Sequence, residues 1–494
     1  MKRLKQLSLT TWQAFTRHVS PAALATILAA LVVGFLLFVP PLRGLADNGT
    51  FPQILANNGL YRLSGYQTTT YVNPQFGIMQ YFNELRGTSF TAQTLFIQVA
   101  ILLNRVVYSQ TVFDVRFLGL TYAVPYLGGI YLLTRAMTQP YRRIRSYFLA
   151  VIIVFVFADA SFVLSFNSFY ATPVMVIGML YVVATILIVA RQRTTSWRLV
   201  IGFFVGVALL VTATPQNGPL VLCFLIASGG FFFVVTRGPR WLWLLTGILV
   251  VLALGGLSYT SLSREQRAVN RYQSFTHGVL TQDTDASQAI AHSGISRQYG
   301  LMKGEDYYPT AFTAKRPNSR SVHQQLLQRY TVGWVSRYYI QHPRQFMTLL
   351  NLAASDMMMT QNKSVGDYQK VAGKAPGAQV TIFTGFSAIA GSFFPRRFAF
   401  NLLLVVALLM VFAVGFYNDL RVQRVASVVR FFLVCGLLLI FISVPVMAII
   451  DGGTTELAQR LLMVPLSIDM VLLIFLADML NHRLWHTDDA ETGV

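Results

Sequence analysis

Acids are scarce in this chain, with 19 Asp and Glu against 39 Lys and Arg in 494 residues. Six of them nevertheless stand beside or inside strongly apolar runs. Asp47 follows Val39-Pro40-Pro41 in "LADNGTF", Asp114 stands in "FDVRFLG", and Asp159 in "FADASFV". Asp451 and Glu456 share "IIDGGTTELAQR", and Asp469 lies deeper, in "LSIDMVL". A carboxylate beside hydrocarbon is expensive, so each needs either a partner or a chemical task such as taking a proton from a hydroxyl. Partners are at hand for some. Asp114 is two residues from Arg116, which predicts an ion pair. Asp159 can accept from Ser161 or a neighbouring helix, and Asp469 suits an interhelical polar contact.

Other polar groups gather in the same turns. "SFNSFYATP" offers Asn167, Ser168 and Tyr170, and "TPQNGP" offers Gln216 and Asn217 between two short apolar runs. A hairpin that short predicts a tip sunk into a cavity, because irregular backbone at membrane depth must face water or protein. An ordinary tight turn fits the local sequence equally well. The stretch after Asp47 adds Asn48, Tyr61 and Arg62, and the Asp451 loop adds Arg460.

The elements that must hold these groups are helices crossing a membrane. The chain is 54% hydrophobic and only 12% charged, about half the charge of a soluble protein. Apolar runs of spanning length recur at 22–40, 116–137, 146–166, 173–190, 199–214, 219–236, 241–259, 398–417, 428–449 and 461–480. The expected fold class is an all-α polytopic membrane protein with about ten transmembrane helices and an extracytoplasmic loop domain. The basic start "MKRLKQ" leads into an apolar run too long for a signal peptide, with no small-residue cleavage site after it. It is read as an uncleaved first span.

One run is ambiguous. "AQTLFIQVAILLNRVVY" (92–108) is short and carries polar residues, and its Leu95, Phe96, Val99, Leu102, Leu103 and Val106 recur with helical spacing. The basic residues settle its reading. With 92–108 flat on the interface, "TQPYRRIRS", "RQRTTSWR", "TRGPR" and "YNDLRVQRVASVVR" all fall on one side. The opposite short loops then hold one basic residue, Arg460, so the basic side is cytoplasmic. The organisation expected is a cytoplasmic tail 1–21, the first span 22–40, and an extracytoplasmic loop 41–115 with the interfacial helix. Spans two to seven occupy 116–259, an extracytoplasmic domain 260–397, spans eight to ten 398–480, and a cytoplasmic tail 481–494. Every polar turn above then opens outward.

The net charge of +20 is topological in origin, and nucleic-acid binding is excluded as a reading. Cys223 and Cys435 both fall in apolar runs, so neither a disulfide framework nor a Cys metal site is expected. The seven His are scattered, and there is no phosphate-binding glycine loop, zinc helix or nucleophile elbow. No metal or other cofactor is expected, although a divalent-metal requirement stays open. Energy for any reaction must arrive with the substrate.

The order of these pieces resembles the GT-C superfamily of membrane glycosyltransferases, and more narrowly bacterial glycan-biosynthesis hexosyltransferases of the WsfD type. The residues that carry the resemblance are "ADNGTF…NNGLY" (46–61), "FDVRFLG" (113–119), "FADASFVLSFNSFYATP" (157–173), "TPQNGP" (214–219), "YQSFTHGVL" (272–280) and "DGGTTELAQRLL" (451–462). The resemblance implies transfer of a hexose from a polyprenyl-phosphate-linked sugar donor to an extracytoplasmic acceptor, a cell-surface glycan, teichoic acid or protein. It implies Asp47 as general base and inversion at the sugar. Arg62, Arg116 and Arg460 become candidates for the departing phosphate, with Arg460 first because its loop holds no other cation. Asn48, Tyr61, Asp159, Asn167, Tyr170, Gln216, Asn217, Asp451 and Glu456 complete the expected substrate-binding set. Two other readings stay open: a transporter or flippase of lipid-linked sugars, which calls for polar residues through the full membrane depth, and an inactive relative serving assembly. A structural role for Asp47, capping the helix that follows it, also stays open.

Overall fold

The computed structural model describes residues 16–485 apart from 17, 64, 66–68, 81–90, 140–142, 193–195, 235–239, 282–289, 291–294 and 309–315. Most of both expected tails, and parts of the arginine-bearing loops, lie outside the described residues. The protein is an all-α polytopic membrane protein. Its first helix, α1 (Pro21–Phe38), starts where Ser20 Oγ accepts the Ala23 N–H, with Pro21 filling the first turn. A loop follows with α2 (Phe51–Asn57), β1 (Leu60–Tyr61), β2 (Gln75–Ile78), α3 (Ala92–Val107) and β3 (Val112–Asp114). The strands form a small antiparallel sheet in the order β1-β2-β3.

The membrane helices then run α4 (Val115–Thr138), α5 (Ile144–Phe157) with the short α6 (Ala160–Val163), α7 (Thr172–Gln192) and α8 (Trp197–Ala213). After a 3-10 turn at Pro215–Leu220 come α9 (Val221–Ser228), α10 (Phe231–Val234) and α11 (Arg240–Thr260). The second large segment carries α12 (Arg264–Thr276), α13 (Arg320–Val322), α14 (Val332–Gln341), α15 (Pro343–Asp356) and α16 (Gly385–Phe393). The chain closes with α17 (Phe398–Arg421), α18 (Ala426–Gly452), α19 (Leu457–Arg460) and α20 (Met463–Leu480).

Among the described residues, eight helices are long and apolar enough to cross a membrane, and a bent pair adds a ninth. The bend, 49° between Ile144–Phe157 and Ala160–Asn167, has a local cause. Asp159 leaves helical geometry and accepts the Ser161 N–H at 2.9 Å, so a new helix starts inside the expected span 146–166. The expected span 199–214 is the 17-residue α8, which packs against the almost fully buried α7. The expected span 219–236 begins earlier, at Pro215, because the "TPQNGP" turn is itself helical.

Helix α3 turns its apolar row outward, with Leu95, Val99, Leu102 and Val106 exposed. Its inner face is partly polar. Gln93 Nε2 donates to Phe169 O at 2.6 Å, and Asn104 Nδ2 to Val112 O at 2.8 Å. At 1.5 Å per residue, 16 residues reach about 24 Å, less than the hydrocarbon thickness.

The face carrying the two long segments is called here the loop face. On it, residues 366–369 thread as an extended strap between two stretches of the first loop. Gly44 N–H donates to Asp367 O and Ala46 N–H to Gly366 O on one side, while Gly366 N–H donates to Thr69 O and Val72 N–H to Tyr368 O on the other. A side chain at Gly366 would collide with Thr70 O, so the strap requires glycine there. On the opposite face Asp478 is shared by Arg430 Nη1 at 2.6 Å and Arg191 Nη2 at 3.5 Å, locking α18, α20 and α7 together.

Candidate active site

Four elements of the loop face meet around one large polar cavity of about 850 Å³: the Asn48–Ile54 stretch, the Thr214–Asn217 turn, α12, and the segment from Glu456 to Met463. Each is placed for a local reason. Helix α12 begins in a capping box, Ser263 Oγ accepting Gln266 N–H while Gln266 Oε1 accepts Ser263 N–H. Ser274 Oγ then donates to Ile450 O at 2.7 Å, which fastens α12 to the end of α18. Past that end, Gly453 (φ +62°) and Glu456 (φ +51°) both take left-handed backbone. The reversal releases α19, and on it Arg460 points back over Gly452. A non-glycine residue in such a conformation is uncommon and costs energy, and here it falls on a cavity-lining acid.

Arg460 is the focus. Its Nη2 donates to Asn270 Oδ1 at 3.2 Å and Gln273 Oε1 at 3.5 Å, and its Nη1 to Asp451 Oδ2 at 3.4 Å. Asn270 Nδ2 donates to the same Asp451 oxygen at 2.9 Å. These arginine contacts are long for charge-assisted bonds, so the guanidinium has capacity for a stronger acceptor. A side chain at Gly452 would overlap the guanidinium.

A second recess of about 240 Å³ lies beside the first. It is apolar, walled by Pro219, Leu220, Tyr259, Val444, Met447 and Ala448, and it reaches about two helical turns down α18 from Asp451. Gln216, Asn217 and Arg460 line both recesses, and Arg460 is the one cation lining either among the described residues. A third recess, about 230 Å³, adjoins them under Tyr170, Gln93 and Gln216.

The structure therefore divides the expected residues. Asn48, Gln216, Asn217, Glu456 and Arg460 line the polar cavity, and Asp451 lines the apolar one beside Arg460. Tyr170 lines the third recess and also ties down the first loop, its hydroxyl donating to Ala46 O at 2.9 Å and accepting Asn48 N–H. Asn167 belongs to the framework. Its Nδ2 donates to Leu37 O and Arg43 O, joining α1 to that loop. Asp159 caps α6 and accepts Ser387 N–H at 3.0 Å, anchoring α16. Arg116 is engaged by Asp114, and Tyr61 packs on Gly77 of the sheet. None of Asn167, Asp159, Arg116 or Tyr61 lines the three recesses.

Asp47 also departs from the expectation. It is 2% exposed, and its carboxylate forms an ion pair with Arg62. Its Oδ1 accepts Gly49 N–H at 2.7 Å and Phe51 N–H at 3.2 Å, the latter at the start of α2. The carboxylate is thus turned inward, beside Phe51 and Ser168, while the next residues, Asn48 to Thr50, face the cavity. Asp47 and Arg62 brace this wall of the site from behind it. The acids whose residues line the cavity are Glu265, which accepts from Tyr308 Oη at 2.6 Å, and Glu456.

Residue types alone did not single out Asn270, Gln273, Gln266 or Gly452. The signal available was the spacing of Gln266, Val269, Asn270 and Gln273, which share one face of a helix beginning after a Ser-x-x-Gln box.

The chain belongs to the YfdI N-terminal transmembrane domain family, which matches it over residues 5–494. That family is one of GT-C-like membrane glycosyltransferases. No curated protein and no solved structure matches the chain. Family membership bears on the broad class, a membrane protein of glycosyltransferase type, and on that class the geometry above can be read.

Proposed function

We propose that the protein transfers a hexose from a polyprenyl-phosphate-linked donor to an acceptor outside the cell. The observation that carries this reading is the placing of Arg460 at the seam between an apolar recess and a polar cavity. A lipid-linked sugar has the same division: an isoprenoid tail, a phosphate, and a sugar head. The tail lies along Pro219, Val444 and Met447, the phosphate is taken by Arg460, and the sugar occupies the polar cavity beside Asn217, Asn270 and Gln273. Arginine suits this task because charge grows on the phosphate oxygen as the sugar leaves.

In the step proposed, the acceptor oxygen attacks the anomeric carbon as the carbon–oxygen bond to phosphate breaks. The electron pair leaves with the polyprenyl phosphate, the acceptor proton goes to a carboxylate, and a single displacement inverts the sugar carbon. We assign the proton to Glu456, since Asp47 is held by Arg62 and two main-chain N–H groups, and Glu265 is engaged by Tyr308. Asp47 acts through the wall it holds. The arginine distribution supports a loop face outside the cell, and the WsfD-type choice of hexose rests on the sequence resemblance alone. Confinement of the two recesses to the loop-face end of α18 supports transfer over carriage across the bilayer.

The test is purified protein in nanodiscs, given polyprenyl-phosphate hexose and a hydroxyl acceptor. Donor turnover should fall about 10²–10³-fold in Arg460→Gln. Unchanged turnover in that variant would remove the phosphate assignment.

A further inference from the structure

Helix α12 has two polar faces, and the cavity uses only one. Glu265, Gln266, Asn270 and Gln273 look into it. Around the helix, Arg264, Arg267 and Arg271 line a separate open pocket of about 420 Å³, bounded on the other side by His323, Leu327 and Gln328. No carboxylate lines this pocket among the described residues, and none of the three arginines forms an ion pair there. Arg271 Nη1 donates to Leu327 O at 3.1 Å, which fixes its guanidinium at the pocket wall. Ala268 and Leu327 are buried and form an apolar floor. Like charges one turn apart on a helix face repel, so an anion resting among them relieves the arrangement. Guanidinium groups bind phosphate and carboxylate through paired N–H donors.

We propose that this pocket binds an oxyanion, phosphate or carboxylate, carried by the acceptor glycan. The apolar floor takes the carbon-rich face of a sugar ring beside the anionic group. The pocket and the transfer cavity are separated by one helix, about 10–12 Å across, which an extended oligosaccharide can round. A charged unit held here directs a hydroxyl further along the oligosaccharide toward the transfer cavity. The word acceptor rests on the transferase reading; the selectivity for anionic glycans does not.

The experiment uses the full chain in phosphatidylcholine nanodiscs, with fluorescent tetragalacturonate as the anionic probe and maltotetraose as the neutral one. Tetragalacturonate should bind at least about tenfold more tightly than maltotetraose at low salt, and lose that advantage as salt rises. Arg264→Gln and Arg267→Gln should each weaken it about two- to fivefold, and the triple change with Arg271→Gln by more. Arg267 and Arg264 are exposed, so circular dichroism should show an unchanged fold in the single variants. Arg460→Gln should leave probe affinity unchanged, which separates failure of this pocket from failure of the transfer reading. Equal affinity for the neutral probe, or full affinity in the folded arginine variants, would overturn the proposal. Displacement of the probe by phosphatidylglycerol in the wild-type discs alone would also overturn it, making the pocket a lipid-headgroup site.

Discussion

Replacing Asp47 by Asn distinguishes a brace from a base. Asn keeps the Oδ1 that accepts Gly49 N–H and Phe51 N–H, and it caps a helix nearly as well as Asp. What it loses is the charge opposite Arg62. A hydrogen bond to a charged group contributes about 1.5–3 kcal/mol. The Arg62 side chain is 31% exposed and can turn toward water, so the loss should fall near the lower end, about 1–2 kcal/mol. Asp47→Asn should therefore express, melt a little earlier, and keep transfer within about tenfold of wild type, the loss arising from a looser Asn48–Thr50 wall. Glu456→Gln should melt as wild type and lose about 10²–10⁴-fold in transfer, the usual contribution of a positioned base. The assay is donor turnover in nanodiscs, with donor binding measured separately so that a lost site is not mistaken for lost chemistry. The reverse pattern, Asp47→Asn dead with donor bound and Glu456→Gln active, would refute the reasoning. It would mean that the Arg62 pair opens in the complex and that Asp47 is the base.

Further outcomes follow from neighbouring contacts. Gly452→Ala should leave expression intact and lower transfer, because its methyl group displaces the Arg460 guanidinium; a normal rate would show that this arginine position is not needed. Gly366→Ala should disrupt the strap between the long segments, read as protease sensitivity in residues 360–380. In a cysteine-free background, a cysteine at 422 should label only from the cytoplasm and one at exposed 371 only from outside; Thr194 and Asp285, which the same topology puts inside and outside, lie outside the described residues. The strap should also loosen with pH. Burial raises the Asp367 carboxyl to about 7, against a partly offsetting Val380 N–H donated to its Oδ2. The folded state then holds a proton that the unfolded chain has released, so stability is full below about pH 4 and falls up to about pH 7. The strap should exchange amide hydrogens more readily at pH 8 than at pH 5 after correction for intrinsic rates, and Asp367→Asn should flatten that dependence.

The membrane helices were legible because their signal is one of composition over a long window. A run of about 20 apolar residues has few other stable fates, and the long helices fall where the hydropathy placed them. The break in 146–166 was hidden for the opposite reason. A single cap at Asp159 started a new helix, and one residue carries little weight in such a window. The same limit applies to "SVHQQLLQRYTVGWVSRYYIQHPRQF" (321–346), whose composition reads as helical and marks no break. Thr331 Oγ1 accepts Trp334 N–H to begin α14, and Pro343 begins α15.

The candidate site was legible by address and less so by role. Arg460, Glu456, Gln216 and Asn217 were visible because polar residues in the turns of an apolar chain have few reasons to be there. Asp47 satisfied the same rule, yet the rule cannot tell which way a carboxylate points. That direction was decided by Arg62, fifteen residues on, and by two N–H groups of a loop bent through Gly49 at φ +101°. A charge near a membrane rim has two ways to be tolerated, by facing water or by facing a counter-ion. Sequence fixes the need without choosing between them. Where the counter-ion is taken, as for Asp47, Asp114 and Asp478, the acid serves the scaffold. Glu456 has no hydrogen-bond or ion-pair partner for its side chain among the described residues, lines the cavity, and stands on strained backbone four residues before the arginine. That combination, rather than position after the first span, is what supports the proposal that it takes the proton.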